Sequence, residues 1–113
     1  FCKVSSTNEL KQAIEFGRGN NLEIFVLGHG SNILISDEGF RGLVIKIELF
    51  GIEFVDDKII AGAGESWDKI VELSVERNLY GIENTSFIPG TVGAGVVGNI
   101  GAYGSEIKNT IKL

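Results

Sequence analysis

The sequence predicts a single compact α+β unit, on three observations. Its 113 residues suit one domain. Hydrophobic residues make up 43% of the chain and charged residues 22%, proportions that are typical of a globular protein. Short apolar runs of strand length occur beside two segments with helical periodicity, and turn residues separate them. No long repeat and no flexible linker interrupts this pattern.

The first elements form a predicted β-α-β unit. Residues 1–4 have the composition of the end of a strand whose earlier residues lie upstream. Ser6 and Glu9 have the spacing of a capping box, which predicts the start of a helix. We expect Gly17 and Gly19 to end that helix, because glycine tolerates the positive φ of a helix C-terminus.

Four further apolar runs have the length of strands. Residues 23–27 are most simply a buried strand, and residues 43–47 are also strand-like. Residues 52–55 and 58–61 are predicted to pair as a hairpin around Asp56-Asp57, because acidic turn residues separate two apolar runs.

A second helix is predicted after Ser66, which is a favourable N-cap residue. Positions 67, 70, 71, 74 and 75 then have the spacing of a helix with one buried face, and Trp67 is expected in the core. The helix should end near Arg77-Asn78. Residues 109–113 are predicted to be the start of a strand.

Composition and charge exclude several function classes. Ten Lys and Arg residues stand against 15 Asp and Glu residues, for a net charge of −5, so no basic cluster is available for nucleic acid. Cys2 is the single cysteine, which rules out an internal disulfide and suits a reducing compartment. No group of Cys, His and carboxylate residues has metal-ligand spacing, so no metal is expected.

The sequence predicts a cytoplasmic protein of which this chain is one segment. No targeting pattern occurs at the N-terminus, and the long uncharged stretch 84–105 contains too many glycines for a membrane span. Methionine is absent, and glycine reaches 16 residues, about twice the usual roughly 7%. We therefore expect part of a longer chain, rich in backbone suited to close approach.

A glycine loop directly follows the strand predicted at 23–27. Its glycines, Gly28 and Gly30, permit sharp turning and let backbone N–H groups converge on an anion. Ser31 and Asn32 add side-chain donors suited to a phosphate or diphosphate. A plain tight turn is the alternative interpretation. His29, the only histidine, is interpreted as an exposed loop residue rather than a base or metal ligand.

A second glycine-rich stretch offers a neutral surface with few side-chain atoms. Residues 93–98 match the dinucleotide pattern Gly-x-Gly-x-x-Gly, but residues 89–91 precede them where a strand should stand, so that interpretation is rejected. Such a surface lets a flat ring lie against peptide planes, with Asn99 and Tyr103 as polar contacts. The alternative is close helix packing through small residues.

Two blocks, in this order, resemble the UDP-N-acetylenolpyruvoylglucosamine reductases. The first is Leu-Gly-His-Gly-Ser-Asn at 27–32, followed by Ser-Asp-Glu-Gly-Phe-Arg-Gly at 36–42. The second is Ile-Pro-Gly-Thr-Val-Gly at 88–93, followed by Asn-Ile-Gly-Ala-Tyr-Gly at 99–104. The spacing between the blocks also matches, and the resemblance extends over essentially the whole chain.

The resemblance implies an FAD-binding PCMH-type domain, similar to vanillyl-alcohol oxidase, in which FAD lies between two small α+β lobes. Lobe one would span about 1–63 and the start of lobe two about 64–113, with the domain truncated at both ends. The first block would bind the FAD diphosphate, and the second block the flavin. The residues so assigned are Gly28, His29, Gly30, Ser31, Asn32, Pro89, Gly90, Thr91, Val92, Gly93, Asn99, Gly101, Ala102 and Tyr103.

The activity implied is that of a UDP-N-acetylmuramate dehydrogenase. Such an enzyme uses NADPH and FAD to reduce the enolpyruvyl ether of UDP-N-acetylglucosamine in peptidoglycan precursor synthesis. The arginine, serine and glutamate that the family uses in catalysis would lie beyond this chain. We therefore expect no catalytic residue here, an inactive isolated chain, a UDP-sugar as the partner of the whole enzyme, and a monomer.

Two other interpretations remain open at this stage. The chain is another PCMH-type flavoprotein oxidoreductase, for which His29 makes covalent attachment of flavin conceivable. Alternatively, it is a flavin-free remnant that acts as a binding module, which Gly98 suggests because family members often carry a larger residue there.

Overall fold

The computed structural model describes residues 1–112 and contains helices and strands in a mixed order, as the predicted α+β class requires. In chain order the elements are β1 (Cys2–Val4), α1 (Thr7–Gly19), β2 (Ile24–Leu27), β3 (Leu43–Ile47), β4 (Ile52–Val55), β5 (Lys58–Ala61), α2 (Trp67–Glu76), α3 (Val92–Val97), β6 (Gly101–Ala102) and β7 (Ser105–Glu106). Two short 3₁₀ turns, Glu83–Thr85 and Ile107–Asn109, complete the set.

The first part of the chain is built on a three-stranded parallel sheet in the order β1-β3-β2. Its central strand carries Leu43 and Ile45, which are buried with Val4 of β1. The apolar face of α1, which includes Leu10, Ala13 and Ile14, packs against this cluster. Strand β2 ends at Leu27, so the first glycine loop begins at the edge of this sheet.

The second part is built around α2. Trp67 and Val71 are buried, and Ile107 from the second 3₁₀ turn packs against them. The indole Nε1 of Trp67 donates a hydrogen bond to the hydroxyl of Thr85 at 3.1 Å, so the buried polar edge of the ring is satisfied. The prediction that Trp67 is a core residue is confirmed, and β4 and β5 pair as the predicted hairpin.

The predicted end of the first helix is wrong at Gly17. Helix α1 continues through Gly17 and ends at Gly19, with Asn20 as its C-cap. Gly17 is buried, and an added Cβ would lie 2.9 Å from Cδ1 of Ile24. The glycine therefore permits close packing of α1 on the sheet, and Asn21 adopts the positive φ of 53° instead.

The predicted strand at 109–113 is also wrong where the structure describes it. Residues 107–109 form a 3₁₀ turn and residues 110–112 belong to no strand, while Leu113 lies outside the described residues. The backbone N–H groups of Thr110 and Ile111 both donate to the carbonyl of Ile107, at 3.0 and 2.9 Å. Local hydrogen bonds of the turn thus replace strand pairing. They bring Ile107 and Ile111 into the buried cluster around Trp67 and Val71 (the α2 cluster).

Among residues 1–112, no helix combines the length and the apolar character that crossing a bilayer requires.

Candidate functional site

The first glycine loop lies on the surface directly after β2. His29, Ser31 and Asn32 are exposed, and Gly30 has a φ of 77°. His29 stands outside the left-handed region, so the imidazole at this position places no strain on the backbone. Between described residues, no backbone N–H group of residues 28–32 donates a hydrogen bond. These donors therefore have no hydrogen-bond partner in the described part of the chain.

The second block starts helix α3 and lies against the first loop. Thr91 is buried, and its hydroxyl caps α3 by accepting from the N–H of Ala94 at 3.4 Å. The hydroxyl of Ser31 donates to the carbonyl of Pro89 at 3.0 Å. An added Cβ at Gly28 would lie 2.7 Å from the hydroxyl oxygen of Thr91 and 3.3 Å from the Cβ of Ala94. The fold thus joins two segments that lie about 60 residues apart.

Residues 62–66 form a connecting segment behind this junction. The N–H of Val92 donates to the carbonyl of Glu65, and the N–H of Gly93 donates to the carbonyl of Ala63, both at 2.9 Å. An added Cβ at Gly93 would come within 2.9 Å of the Cβ of Ala63. The structure therefore places Val92 and Gly93 against this segment. Sequence reasoning missed the contribution of Ala63, for which the pattern Gly62-Ala63-Gly64 was the available signal.

Asn99 holds the end of the second block together. Its side-chain amide donates to the carboxylate of Glu106 at 3.3 Å, and its side-chain oxygen accepts from the N–H of Lys108 at 3.3 Å. The ammonium of Lys108 is hydrogen-bonded to Glu106 and, together with Asn99, lowers the pKa of that carboxyl. Both polar ends of the Asn99 side chain are therefore engaged within the protein.

Strands β6 and β7 form a small hairpin that presents Tyr103 at its tip. Tyr103 and Gly104 have φ values of 51° and 85°, which is the geometry of a two-residue type I′ turn. The Tyr103 residue is 92% exposed. A Cβ on Gly101 would overlap the carbonyl of Ser105, so this glycine is needed for the pairing of the two strands. Ala102 is half-buried beside it.

The outer face of α3 is exposed and uncharged. Ala94, Val97 and Gly98 are exposed on it, whereas Gly95 is buried against Ile100 and Trp67. Each of the two interpretations of this stretch therefore holds for a different part of it. Gly95 allows close packing, whereas the outer face of α3 is a neutral surface that begins beside the first loop. The stretch forms a helix, which the sequence reasoning had not predicted.

At least two hollows lie on the described surface. One of about 410 Å³ lies between β1 and α1 and contains none of the predicted site residues. The other, of about 270 Å³, is lined by Asn99, Gly101 and Ala102 together with residues of β7. Within residues 1–112, no three His, Cys, Asp or Glu side chains come close enough to hold a metal ion. Three of the predicted site residues therefore line a surface hollow, and the others lie outside both of these hollows.

The chain is similar to known proteins over nearly its whole length. A family described as the FAD binding domain matches residues 1–112. A UDP-N-acetylenolpyruvoylglucosamine reductase of Clostridium tetani is 43% identical over 107 residues, covering 94% of this chain and 35% of the relative. A reductase of the same name from Thermobifida fusca is 40% identical over 116 residues, covering 98% of this chain and 33% of the relative.

The chain thus spans about one third of the length of the curated relatives it matches. A third reductase of that name, from Pseudomonas aeruginosa, is 42% identical over 106 residues, covering 89% of this chain and 31% of the relative. The resemblance inferred from the two blocks is confirmed, and so is FAD as the cofactor of the matching family. On the match of residues 1–112, this chain belongs to the FAD binding domain family.

Proposed function

We propose that this chain is the FAD-holding part of a UDP-N-acetylenolpyruvoylglucosamine reductase. The whole enzyme would use NADPH to reduce the enolpyruvyl ether of a UDP-sugar, as a monomer in the bacterial cytoplasm. The observation that carries the proposal is the junction of the first glycine loop with the start of α3, through Ser31, Pro89, Gly28 and Thr91. Relatives that cover nearly all of this chain carry the same enzyme name.

The proposed fold is the PCMH type, with two lobes at about 1–63 and 64–113. Two separate clusters of buried residues support this division, one on β3 and one on α2. The segment 62–66 joins the two parts in sequence and accepts hydrogen bonds from Val92 and Gly93 of the second block. A cofactor at the junction would therefore contact both lobes.

The first loop is suited to an anionic diphosphate. The backbone N–H groups of residues 28–32 donate no hydrogen bond to the described residues, and the absence of a side chain at Gly28 and Gly30 lets a ligand approach the backbone. Ser31 and Asn32 add polar groups on the same loop. These residues fit the group, and we assign them, with His29, to the FAD diphosphate.

The neutral face of α3 and the hairpin at 101–106 suit the flavin ring. The residues that we assign to the ring offer backbone groups and carry no charged side chain. They are Pro89, Gly90, Thr91, Val92, Gly93, Asn99, Gly101, Ala102 and Tyr103. The chemistry that FAD supplies when bound is hydride transfer from NADPH to the enolpyruvyl ether. The role of these residues is to bind and orient the ring, and none of them is assigned to proton transfer.

An FAD titration of the purified protein, followed by flavin fluorescence with FMN as a comparison, tests the proposal. We expect saturable binding that prefers FAD. The variant N32D adds a negative charge to the first loop without changing side-chain size, and should weaken FAD binding at least about tenfold by repelling the diphosphate. N8D makes the same charge change on the exposed face of α1 and should bind FAD like the unaltered protein.

Other outcomes contradict the proposal in distinct ways. No saturable FAD binding by the protein would favour a flavin-free binding module. Equal affinity for FAD and FMN would contradict a diphosphate site at the first loop. Flavin that stays attached after denaturation would instead indicate covalent attachment and another class of flavoprotein.

A further inference from the structure

A strained turn stands immediately before the second block. Phe87 has a φ of 61°, in the left-handed region that bulky side chains rarely adopt. Its ring is not buried in compensation, because Phe87 is 89% exposed. A strained conformation persists only where the surrounding structure imposes it. Contacts between this turn and the rest of the protein must therefore hold it in place.

The carboxylate of Asp68 holds it. One oxygen of this side chain accepts the N–H of Phe87 at 2.7 Å and the hydroxyl of Ser86 at 3.0 Å. Asp68 is the second residue of α2, next to the buried Trp67, so the acceptor is attached to a fixed element. Hydrogen bonds to a charged acceptor are stronger than neutral ones, which suits them to stabilise a strained turn.

Beyond the turn, the chain is fixed at successive points. Ile88 packs against the α2 cluster. The carbonyl of Pro89 accepts the hydroxyl of Ser31 at 3.0 Å, and the carbonyl of Gly90 accepts the N–H of Trp67 at 3.1 Å. The direction that the turn gives to the chain thus sets the position of the Pro89 carbonyl, and through it the orientation of Ser31 in the first loop.

We propose that Asp68 is a positioning residue for the cofactor site. By holding Phe87 in the left-handed conformation, Asp68 fixes how residues 88–91 lie against the first loop, although strands β3, β4 and β5 separate Asp68 from that loop in sequence. This inference rests on the proposed function, because the readout is the affinity for FAD. The competing role for Asp68 is purely structural, since an acidic residue in the first turn also stabilises α2 through the helix dipole.

Three substitutions separate these roles. D68A removes the acceptor, so we expect FAD affinity to fall at least about tenfold. The affinity is measured at a temperature well below the unfolding temperature of every variant. D68N keeps an acceptor oxygen of the same size and should lose no more than about threefold. In the double variant D68A/F87G, glycine adopts the positive φ without strain, so FAD affinity should return to within about threefold of the unaltered protein.

E72A is the matched control. It removes an exposed carboxylate from the same helix, one that is paired with Lys69 away from the turn, and should leave FAD affinity unchanged. A structural role alone would lower the unfolding temperature of D68A without changing its affinity for FAD, and F87G would not restore anything.

The outcomes distinguish the two levels of the proposal. If the unaltered protein binds FAD and D68A binds it equally well, Asp68 has no positioning role while the proposed function stands. D68A that stays weak in the F87G background would likewise overturn the inference, because relief of strain would then be irrelevant. If the unaltered protein does not bind FAD, the proposed function itself fails, and the inference fails with it.

Discussion

At the scale of single residues, the site depends on a glycine, because the lack of a side chain allows two segments to lie in close contact. Gly28 lies where the first loop meets Thr91 and Ala94, with room for a backbone but not for a Cβ. Because the hydroxyl of Thr91 is already engaged as the cap of α3, it cannot turn away without loss of that bond. A single methyl group at position 28 is therefore sufficient to separate the two blocks.

We predict that G28A weakens FAD binding at least about tenfold and destabilises the protein by about 1–3 kcal/mol, as overpacking of a close contact does. Fluorescence titration and thermal unfolding measure the two effects. G19A is the control, because a Cβ at Gly19 meets nothing within 4 Å. It should bind FAD normally and gain about 0.5–1 kcal/mol from helix propensity. Normal FAD affinity in G28A would contradict the assigned junction.

At the scale of elements, the β6–β7 hairpin has a residue at its tip that neither the turn geometry nor burial of its side chain favours. Tyr103 adopts a positive φ at the tip although asparagine is preferred at this turn position, and its ring projects into solvent. The same hairpin explains Gly101, which sequence reasoning assigned only to the flavin ring. A bulky residue at 101 would first disturb strand pairing with Ser105, so Gly101 is a poor position for testing cofactor contact.

Tyr103 is the better position for that test. We predict that Y103N raises the unfolding temperature, because Asn-Gly favours a type I′ turn, while it lowers FAD affinity by removing an aromatic contact of the proposed site. The opposite signs make loss of folding an inadequate explanation. Unfolding followed by circular dichroism and an FAD titration measure them, and unchanged FAD affinity would exclude Tyr103 from the site.

At the scale of the whole molecule, several ion pairs and caps lie on an acidic surface. Lys3 and then Lys46 lower the pKa of Glu48, while the backbone N–H and hydroxyl of Ser5 lower the pKa of Glu9. Glu106, which positions Asn99, has its pKa lowered by Lys108. The pKa of each of these carboxyl groups is therefore lower in the folded chain than its ordinary value of 4.5.

We therefore predict that stability is lost as pH falls below about 4.5. In that range the unfolded chain binds more protons than the folded chain, so the free energy of unfolding decreases with each step toward acid. Above the ordinary value these contributions are fully present. Urea unfolding between neutral pH and about pH 3 measures the slope, and the stability of E106Q should depend less on pH than that of the unaltered protein. E15Q, on the exposed face of α1, is the control, and an E106Q slope equal to that of the unaltered protein would contradict the prediction.

Much of this architecture follows from the sequence because its signals are local. The spacing of Ser6 and Glu9 marks the start of α1, and the hydroxyl of Ser6 accepts the N–H of Glu9 at 3.2 Å. The apolar spacing after Ser66 gave α2 and its buried Trp67. The two glycine blocks gave the family. Each helix signal depends on residues that are close together in the chain, and each glycine block is a short continuous run.

Other features were decided only by tertiary structure, because they depend on contacts between distant segments. Gly17 continues α1 because Ile24 and Leu43 pack against it, and no local pattern shows which glycine ends a helix and which admits a neighbour. Residues 107–109 turn instead of forming a strand because Ile107 is buried against α2. The contact of Ser31 with Pro89 and the role of Asp68 at Phe87 likewise exist only in the folded chain. The sequence by itself determined the family and most of the element types, whereas packing over long separations decided the remaining elements and the geometry of the site.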